Sequence, residues 1–386
     1  MKFKAIFISL VLIVTSKGVL ARSEGPMDEE RAQKVERTVS TDAAVTVSLC
    51  VMSGNISVHG WDKNEVRARS NEAVQIEFRR KDGSNETAPA TKLEVVILDK
   101  TNAQKGHREC PALTDVELDL PRGATVHVQT RDGDISISEI ASAYAGTQNG
   151  DISIEGVTRT VEVGSIGGGI EIKDSSGRVN VSSVGGNVEA TNLRPAESLD
   201  AFEVVSVSGD ITLDRVTHTR LNVQTVNGNV NLTGPLATGG RYGFNTFSGD
   251  VTLTLPAESS FRLSAKVSQG GEVITDFPLT LITEAATPAA PATPAAVASV
   301  APVASGAPPA QPTRPALQSS PSAAPAADPE ITQVIKITPG TNTIVKIDRK
   351  IVQAPYVLRR INAVYGKGDA TISVASFSGT LHLQKL

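Results

Sequence analysis

The chain has 386 residues and a formal net charge of −4, with 40% hydrophobic but only 4% aromatic residues, 32 glycines and 21 prolines. A mildly acidic chain without a cluster of Lys and Arg argues against nucleic acid as a partner, because phosphate contacts need concentrated positive charge. Few aromatic residues beside much Val, Ile, Thr and Gly favour thin, regular β-structure over a bulky globular core.

Residues 1–21 have the pattern of an export signal. Lys2 and Lys4 precede the apolar run AIFISLVLIV, and the small-residue sequence VLA ends at Ala21, as cleavage requires. This run is short for a membrane span, and a retained anchor is the alternative; no later segment has the roughly 18 consecutive apolar residues of a membrane helix. We therefore expect an exported protein without a transmembrane segment after signal removal.

Residues 22–38 are polar and charged, which predicts a flexible lead-in or a short helix. From 39 to 120, short runs such as AVTVSL and DVELDL alternate apolar and polar residues, which predicts strands with one buried face. This region contains both cysteines, Cys50 and Cys110, and an even pair in an exported chain predicts one disulfide. Two unpaired buried thiols are the alternative. Neither cysteine has the spacing of a redox or zinc motif.

Residues 121–283 repeat one pattern about every 20 residues, which is typical of a solenoid. Each copy centres on a glycine, with Ser or Thr three residues before it and Ile or Val two residues after it in that segment. The pattern returns once near the C-terminus. The eight glycines are Gly133, Gly150, Gly168, Gly186, Gly209, Gly228, Gly249 and Gly379.

The apolar positions around each glycine predict a corner. They lie seven and five residues before it and two and four residues after it, an odd step that would turn the two pairs to opposite faces of an unbroken strand. A bend at the glycine brings both pairs into one core, and glycine has the backbone freedom for that bend. The sequence therefore predicts an all-β fold, a β-solenoid of about eight stacked short-strand coils of 17–23 residues with a strand-rich N-terminal cap over 39–120.

Residues 284–328 are rich in Ala, Pro and Ser, which predicts a disordered insertion. Residues 329–386 then contain alternating sequence on both sides of a Pro-Gly turn, followed by another copy of the repeat. This segment predicts a β-hairpin and the final solenoid coil. Because the repeat returns, we interpret the Ala/Pro tract as an insertion inside one domain rather than a linker between two.

Several segments together resemble the bacterial "putative adhesin" domain of unknown function. They are GNISVHGWDKNEV, LDLPRGATVHVQTRDGDISI, the serial coils and the terminal ASFSGTLHL. The resemblance covers about residues 42–283 and 361–386 and implies an exported β-solenoid in the periplasm, in the outer envelope or at the cell surface of a bacterium. It transfers no ligand and no catalytic residue. The insertion and the hairpin after it depart from the family pattern.

The corners carry polar side chains that suggest two kinds of chemistry. Stacked carboxylates after the glycine would bind calcium, but the doubled Gly-x-Gly-x-Asp form of calcium-binding repeats is missing, so we favour turn residues that bond their own backbone. The Ser/Thr column lacks a neighbouring base, so we favour a ladder in which each hydroxyl bonds its neighbour. The acidic and amide residues are Asp134, Asp151, Asn187, Asp210, Asn229 and Asp250.

Solenoid enzymes that cleave polysaccharides need carboxylates or a base that converge in an outward groove. The candidates Glu171, Glu189 and Asp214 lie on separate coils, and the five histidines form no motif. Trp61 is interpreted as a packing residue rather than a platform for sugar. No catalytic residue, metal or cofactor is predicted.

We therefore expect a non-enzymatic envelope or cell-surface β-repeat protein, with an adhesin-like binding or structural role. Its exposed solenoid face would contact an unidentified glycan or protein. One alternative is a carbohydrate-active enzyme, either a polysaccharide lyase or a hydrolase. The other is a scaffold that self-associates through open solenoid ends.

Overall fold

The structure is a computed structural model that describes residues 35–70, 74–83, 88–98, 112–267, 271–282, 343–344 and 359–386. Regular secondary structure in these residues is entirely β, and none of them belongs to a helix that could cross a membrane. Three predictions concern residues outside those described and stay predictions. They are the export signal at 1–21, the disordered insertion at 284–328 and the disulfide, which involves Cys110. Of the predicted lead-in, residues 35–38 already belong to a strand.

Twenty-seven strands follow one another along the described chain. The first fourteen are β1 (Val35–Ser53), β2 (Ile56–Trp61), β3 (Glu65–Ser70), β4 (Gln75–Arg80), β5 (Ala90–Leu98), β6 (Val116–Pro121), β7 (Thr125–Asp132), β8 (Ile135–Ser138), β9 (Ser142–Thr147), β10 (Ile152–Glu155), β11 (Thr160–Ser165), β12 (Ile170–Lys173), β13 (Arg178–Ser183) and β14 (Val188–Leu193). The others are β15 (Ala201–Ser208), β16 (Ile211–Val216), β17 (Arg220–Asn227), β18 (Val230–Thr233), β19 (Arg241–Ser248), β20 (Val251–Leu255), β21 (Phe261–Val267), β22 (Val273–Thr275), β23 (Thr280–Leu281), β24 (Thr343–Ile344), β25 (Arg359–Tyr365), β26 (Ala370–Ser378) and β27 (Leu381–Lys385).

Most of these strands form two parallel sheets that share one core. Sheet I contains, in spatial order, β5, β1, β7, β9, β11, β13, β15, β17, β19, β26 and β21. Sheet II contains β6, β2, β8, β10, β12, β14, β16, β18, β20, β27 and β22. Each coil contributes one strand to each sheet, with a corner between them. The predicted β-solenoid is therefore confirmed.

The register stacks equivalent residues, so the core runs along the whole solenoid. In sheet I, Val223 of β17 pairs with Val204 and Phe244 on the two neighbouring strands. In sheet II, Leu232 pairs with Leu213. All five side chains are buried. Because stacked strands lie about 4.8 Å apart, each coil buries its apolar pairs against the coils on both sides.

Both ends of the solenoid contain a coil that is out of chain order. The C-terminal coil, β26 and β27, lies between the coils β19–β20 and β21–β22, which follow one another in the chain. The N-terminal coil, β1 and β2, lies between β5–β6 and β7–β8. The described residues therefore form eleven coils, three more than the glycine pattern predicted.

Antiparallel strands cover both ends of the stack. At one end β3 pairs with β6 and β1, and β4 pairs with β5. At the other end β25 pairs with β21, β23 pairs with β25, and β24 pairs with β22. The region 39–120 therefore supplies two coils as well as the cap expected of it. The predicted hairpin lies largely outside the described residues, which resume as β25 at Arg359.

Candidate binding surface

The eight predicted glycines all lie at the corner between sheet I and sheet II, stacked directly on one another. A Cβ added to any of them would overlap the backbone of the glycine one coil earlier; at Gly209, the loosest case, it would lie 2.5 Å from the carbonyl oxygen of Gly186. Close stacking, besides turn geometry, therefore requires glycine here. Gly54 and Gly271 belong to the same column, although the repeat pattern did not reveal them. The sequence GNISV after Ser53 matches the repeats and is the signal that identifies Gly54.

Where Asp or Asn follows a corner glycine, its side chain bonds the next coil. Oδ1 of Asn187 accepts the backbone N–H of Asp210 at 2.9 Å, Oδ1 of Asp210 accepts that of Asn229 at 2.8 Å, and Oδ1 of Asn229 accepts that of Asp250 at 3.0 Å. The same bond recurs at other corners. These side chains thus satisfy a neighbouring coil's backbone rather than their own. Among the described residues, no group of three or more His, Cys, Asp or Glu could hold a metal ion.

The Ser/Thr column is buried at the corner, but the predicted hydroxyl-to-hydroxyl ladder is wrong. Thr147 Oγ1 donates to the carbonyl of Gly133 at 3.2 Å, and Ser183 Oγ donates to the carbonyl of Gly186 at 2.8 Å. The reason is proximity, because the corner carbonyls lie beside this column. Within the described chain, the column's hydroxyls without a hydrogen-bond partner are those of Thr225, Thr246 and Ser376.

The carboxylates considered for polysaccharide cleavage lie on the outer face of sheet II. Glu171 and Glu189 are register partners on adjacent strands. Lys173 binds Glu171 at 2.5 Å, and Arg215 binds Asp214 at 3.1 Å. Two of the three acids are thus paired with a cation of their own strand, in contact with solvent. The arrangement is that of surface ion pairs rather than of an acid and a base across a cleft.

Trp61 and His218 are held by packing and backbone contacts. The Trp61 indole N–H donates to the carbonyl of Glu65 at 2.8 Å, and the Arg67 guanidinium lies 4.7 Å from the ring centroid. His218 is fully buried, and its Nε2 donates to the carbonyl of Gly177 at 2.8 Å. Burial lowers the pKa of His218, which favours the neutral ring. The other histidines are dispersed: His59, His127 and His382 lie on different strands, and His107 lies outside the described residues.

The outer face of sheet I carries a file of exposed apolar side chains that sequence reasoning missed. They stand two residues before the corner glycine in six successive coils: four lie on β15, β17, β19 and β26, and Ile166 and Val184 directly follow β11 and β13. Each is between 40 and 55% exposed. Six coils spaced about 4.8 Å apart make this file about 24 Å long. We call it the apolar row: Ile166, Val184, Val207, Val226, Phe247 and Phe377.

Strand alternation explains why these side chains face outward. The Ser/Thr residue immediately before each of them is buried at the corner, and successive side chains on a strand point to opposite faces. The residue after a buried Ser or Thr must therefore face solvent. The repeated Ser/Thr-apolar-x-Gly pattern was the available signal, because a side chain that must point outward is usually polar.

The apolar row has its most aromatic part at its C-terminal end. The rings of Phe247 and Phe377 stack with centroids 4.8 Å apart and planes 7° apart. They border a shallow depression of about 420 Å³, whose other lining residues include Val205, Val226, Lys266 and Ala375. This part of the face combines aliphatic and aromatic surface with one cation at its rim.

Comparison with known proteins gives a family match and several similar solved structures. The family model described as Toastrack DUF4097 matches residues 29–278. No curated protein matches the chain. Similar solved structures include "a putative adhesin" from Parabacteroides merdae (10% identity, 58% of this chain and 89% of that chain, TM-score 0.35) and "a putative cell adhesion protein" from Clostridium sporogenes (12% identity, 92% and 99%, TM-score 0.19). A further one is a "putative adhesin" from Parabacteroides distasonis (11% identity, 58% and 91%, TM-score 0.28).

Proposed function

Since this β-solenoid belongs to the Toastrack DUF4097 family, we propose that it is an exported, non-enzymatic binding module of the bacterial envelope that uses the outer face of sheet I as its contact surface. Export rests on the signal pattern of residues 1–21. Binding rests on the apolar row. The family match itself names no ligand and no reaction.

The apolar row is the observation that carries this proposal. Single exposed apolar side chains are ordinary on a protein surface, but a contiguous file of them marks a contact site, because water around it is released on binding. The six side chains contribute nothing to the core on the other face of the sheet. Their exposure on six successive coils therefore favours a role in binding over a role in folding.

The positions of the carboxylates support a non-enzymatic role. A hydrolase or lyase of sugars needs two groups that face the same bond, with an acid whose surroundings raise its pKa. Glu171 and Asp214 instead form solvent-exposed ion pairs with Lys173 and Arg215. An assay for new reducing ends or unsaturated sugars on envelope polysaccharides tests this part of the proposal, and turnover would overturn it.

The covered ends support a binding module over the self-assembling scaffold. End-to-end growth needs open parallel edges, whereas antiparallel strands flank the outermost coils. Two of these strands carry consecutive arginines, Arg79 and Arg80 on β4 and Arg359 and Arg360 on β25. Charged edge strands disfavour pairing with another chain. Sedimentation that stays independent of protein concentration is the expected result.

The decisive test of binding removes the apolar row without disturbing the core. The mature chain from Arg22 onward is incubated with envelope fragments of the source bacterium and sedimented. We expect the variant Val226→Thr/Phe247→Thr/Phe377→Thr to bind at least about tenfold more weakly than the wild type, because it loses three half-exposed apolar contacts. Leu199→Thr, which removes an exposed apolar side chain outside the row, is the matched control. Equal binding by all three proteins would refute the proposed surface.

Location is tested separately by protease treatment of intact and lysed cells that carry a tagged copy. Digestion on intact cells would place the protein at the surface. Digestion only after lysis would place it inside the cell, where recovery in the periplasmic fraction is the result that agrees with export. A tagged copy recovered from the cytosolic fraction with residues 1–21 still attached would contradict export.

A further inference from the structure

The same face of sheet I that carries the apolar row also carries unpaired cations. Four of them are arginines at the beginning of sheet I strands in the C-terminal half of the solenoid. Each arginine lies about 20 Å from the apolar row, because six residues of extended chain separate the arginine position from the row position. All are exposed, and within the described residues none of them forms an ion pair. They are Arg178, Arg220, Arg241 and Arg262, joined by Lys266 near the end of β21.

These cations are placed against one another rather than against acids. Arg220 and Arg241 are direct register partners in β17 and β19, and Lys266 is the direct partner of Arg360 in β25. Like charges opposite one another on a sheet destabilise it. A folded protein tolerates such pairs more easily when an external anion neutralises them, so the arrangement points to an anionic partner.

The charge of this half-face differs from that of the chain. The outward side chains of β13, β15, β17, β19, β26 and β21 include five cations and one carboxylate, Glu203, whereas the whole chain has a net charge of −4. Positive charge is thus concentrated on the face that also exposes Val226, Phe247 and Phe377. A partner that fits must be anionic and must also accept apolar side chains.

The geometry and charge of this face argue against a sugar and against a second copy of the chain as the partner. Phe247 and Phe377 stack on each other, so part of their ring faces is already covered, and the rest of the row is aliphatic; sugars instead stack on open aromatic faces. A second copy of the chain would bring one cationic face against another. A broad, flat, anionic surface with an apolar layer beneath its charged groups meets both requirements.

We propose that this half of sheet I's outer face docks on an anionic lipid bilayer. The cations would lie at the lipid phosphates, and Val226, Phe247 and Phe377 would enter the boundary between headgroups and acyl chains. The inference rests on the proposed function, because it names the envelope component that the binding module contacts. It requires that the solenoid axis lie along the membrane plane.

The test measures binding of the mature chain to vesicles, so that the apolar run of residues 5–14 is absent. We expect binding to phosphatidylcholine vesicles with about 30% phosphatidylglycerol and weak binding to pure phosphatidylcholine, with affinity falling as salt rises. Arg220→Gln/Arg241→Gln should weaken the partition coefficient by about 25-fold, since each surface cation contributes about fivefold. The double variant Phe247→Ser/Phe377→Ser should also lose binding.

The matched control is Lys173→Gln/Arg215→Gln, which removes the same charge from the outer face of sheet II and should bind within about twofold of the wild type. Unchanged melting temperatures show that all variants fold. The lipid proposal is overturned if the wild type ignores anionic vesicles, if the control loses as much as the arginine variant, or if a soluble acidic polysaccharide binds this face and vesicles do not. Envelope binding that depends on the apolar row while vesicles stay unbound would retain the proposed function and reject the lipid.

Discussion

Leu383 lies only three residues before the end of the chain, yet we expect it to be among the most important residues for stability. Its side chain is 1% exposed. It belongs to β27, which the structure inserts between two coils, so that Leu383 pairs with Leu253 on one side and Thr275 on the other. Chain termini usually fray and tolerate change. An intercalated terminus should not.

The size of the effect follows from what Leu383→Ala removes. Deleting most of a buried leucine side chain from a core that cannot collapse around the gap costs about 2–5 kcal/mol. A domain of ordinary stability has only about 5–15 kcal/mol in total. The substitution should also destabilise the outermost coil, β21 and β22, because that coil packs directly on the coil that contains Leu383.

Urea unfolding of the wild type, Leu383→Ala and Leu386→Ala measures this difference. Leu386 is the control, since its side chain is 67% exposed and its replacement should cost less than about 0.5 kcal/mol. Hydrogen exchange should also accelerate in β21, which precedes the mutation by more than a hundred residues. A Leu383→Ala protein as stable as Leu386→Ala would refute the placement of the C-terminal coil inside the stack.

Four further predictions concern the corners, one buried titratable group and the cysteines. Gly228→Ala should cost at least about 3 kcal/mol by urea unfolding, because its Cβ would overlap the backbone of Gly209 in the preceding coil, whereas Gly239→Ala, at φ +73° with open space, should cost about 1–2 kcal/mol. Asp210→Ala should cost about 1 kcal/mol through the lost backbone acceptor, Asp210→Asn much less, and EDTA should leave the melting temperature unchanged. Because burial lowers the pKa of His218, the unfolded chain binds the proton first, so stability should fall as pH drops below about 6.5, and His218→Gln should lessen that fall. Mass spectrometry of the unreduced protein should show one disulfide that includes Cys50, and its reduction should cost about 2–4 kcal/mol.

Each of these predictions has a result that contradicts it. Equal stability of the Gly228→Ala and Gly239→Ala proteins would mean that the corners are not closely stacked. A rise in melting temperature with calcium would favour the metal-binding interpretation of the Asp column. Stability that is flat between pH 7.5 and pH 5 would place His218 in contact with water. Two free thiols in the unreduced protein would favour the unpaired alternative for the cysteines.

The repeating unit could be read from the amino-acid pattern alone, because that unit depends on local chemistry. An apolar alternation that changes phase at a glycine can form one core only if the chain bends there, so the two sheets and the corner could both be predicted. The outward apolar row was equally readable, since a residue after a buried Ser or Thr must face solvent.

The order in which coils stack at the two ends depends on long-range packing, which the amino-acid pattern does not encode. Two coils joined by a short turn must be neighbours in the stack. A long connection, such as residues 283–358 before the C-terminal coil, lets the coils that it joins lie in either order. Packing then decides, and the C-terminal coil enters between β20 and β22. The hydrogen-bond partners of Thr147 and Asp210 were also beyond sequence reasoning, because they belong to neighbouring coils and depend on stacking at close range. Periodicity specifies the unit, and long-range contacts specify the order in which the units stack.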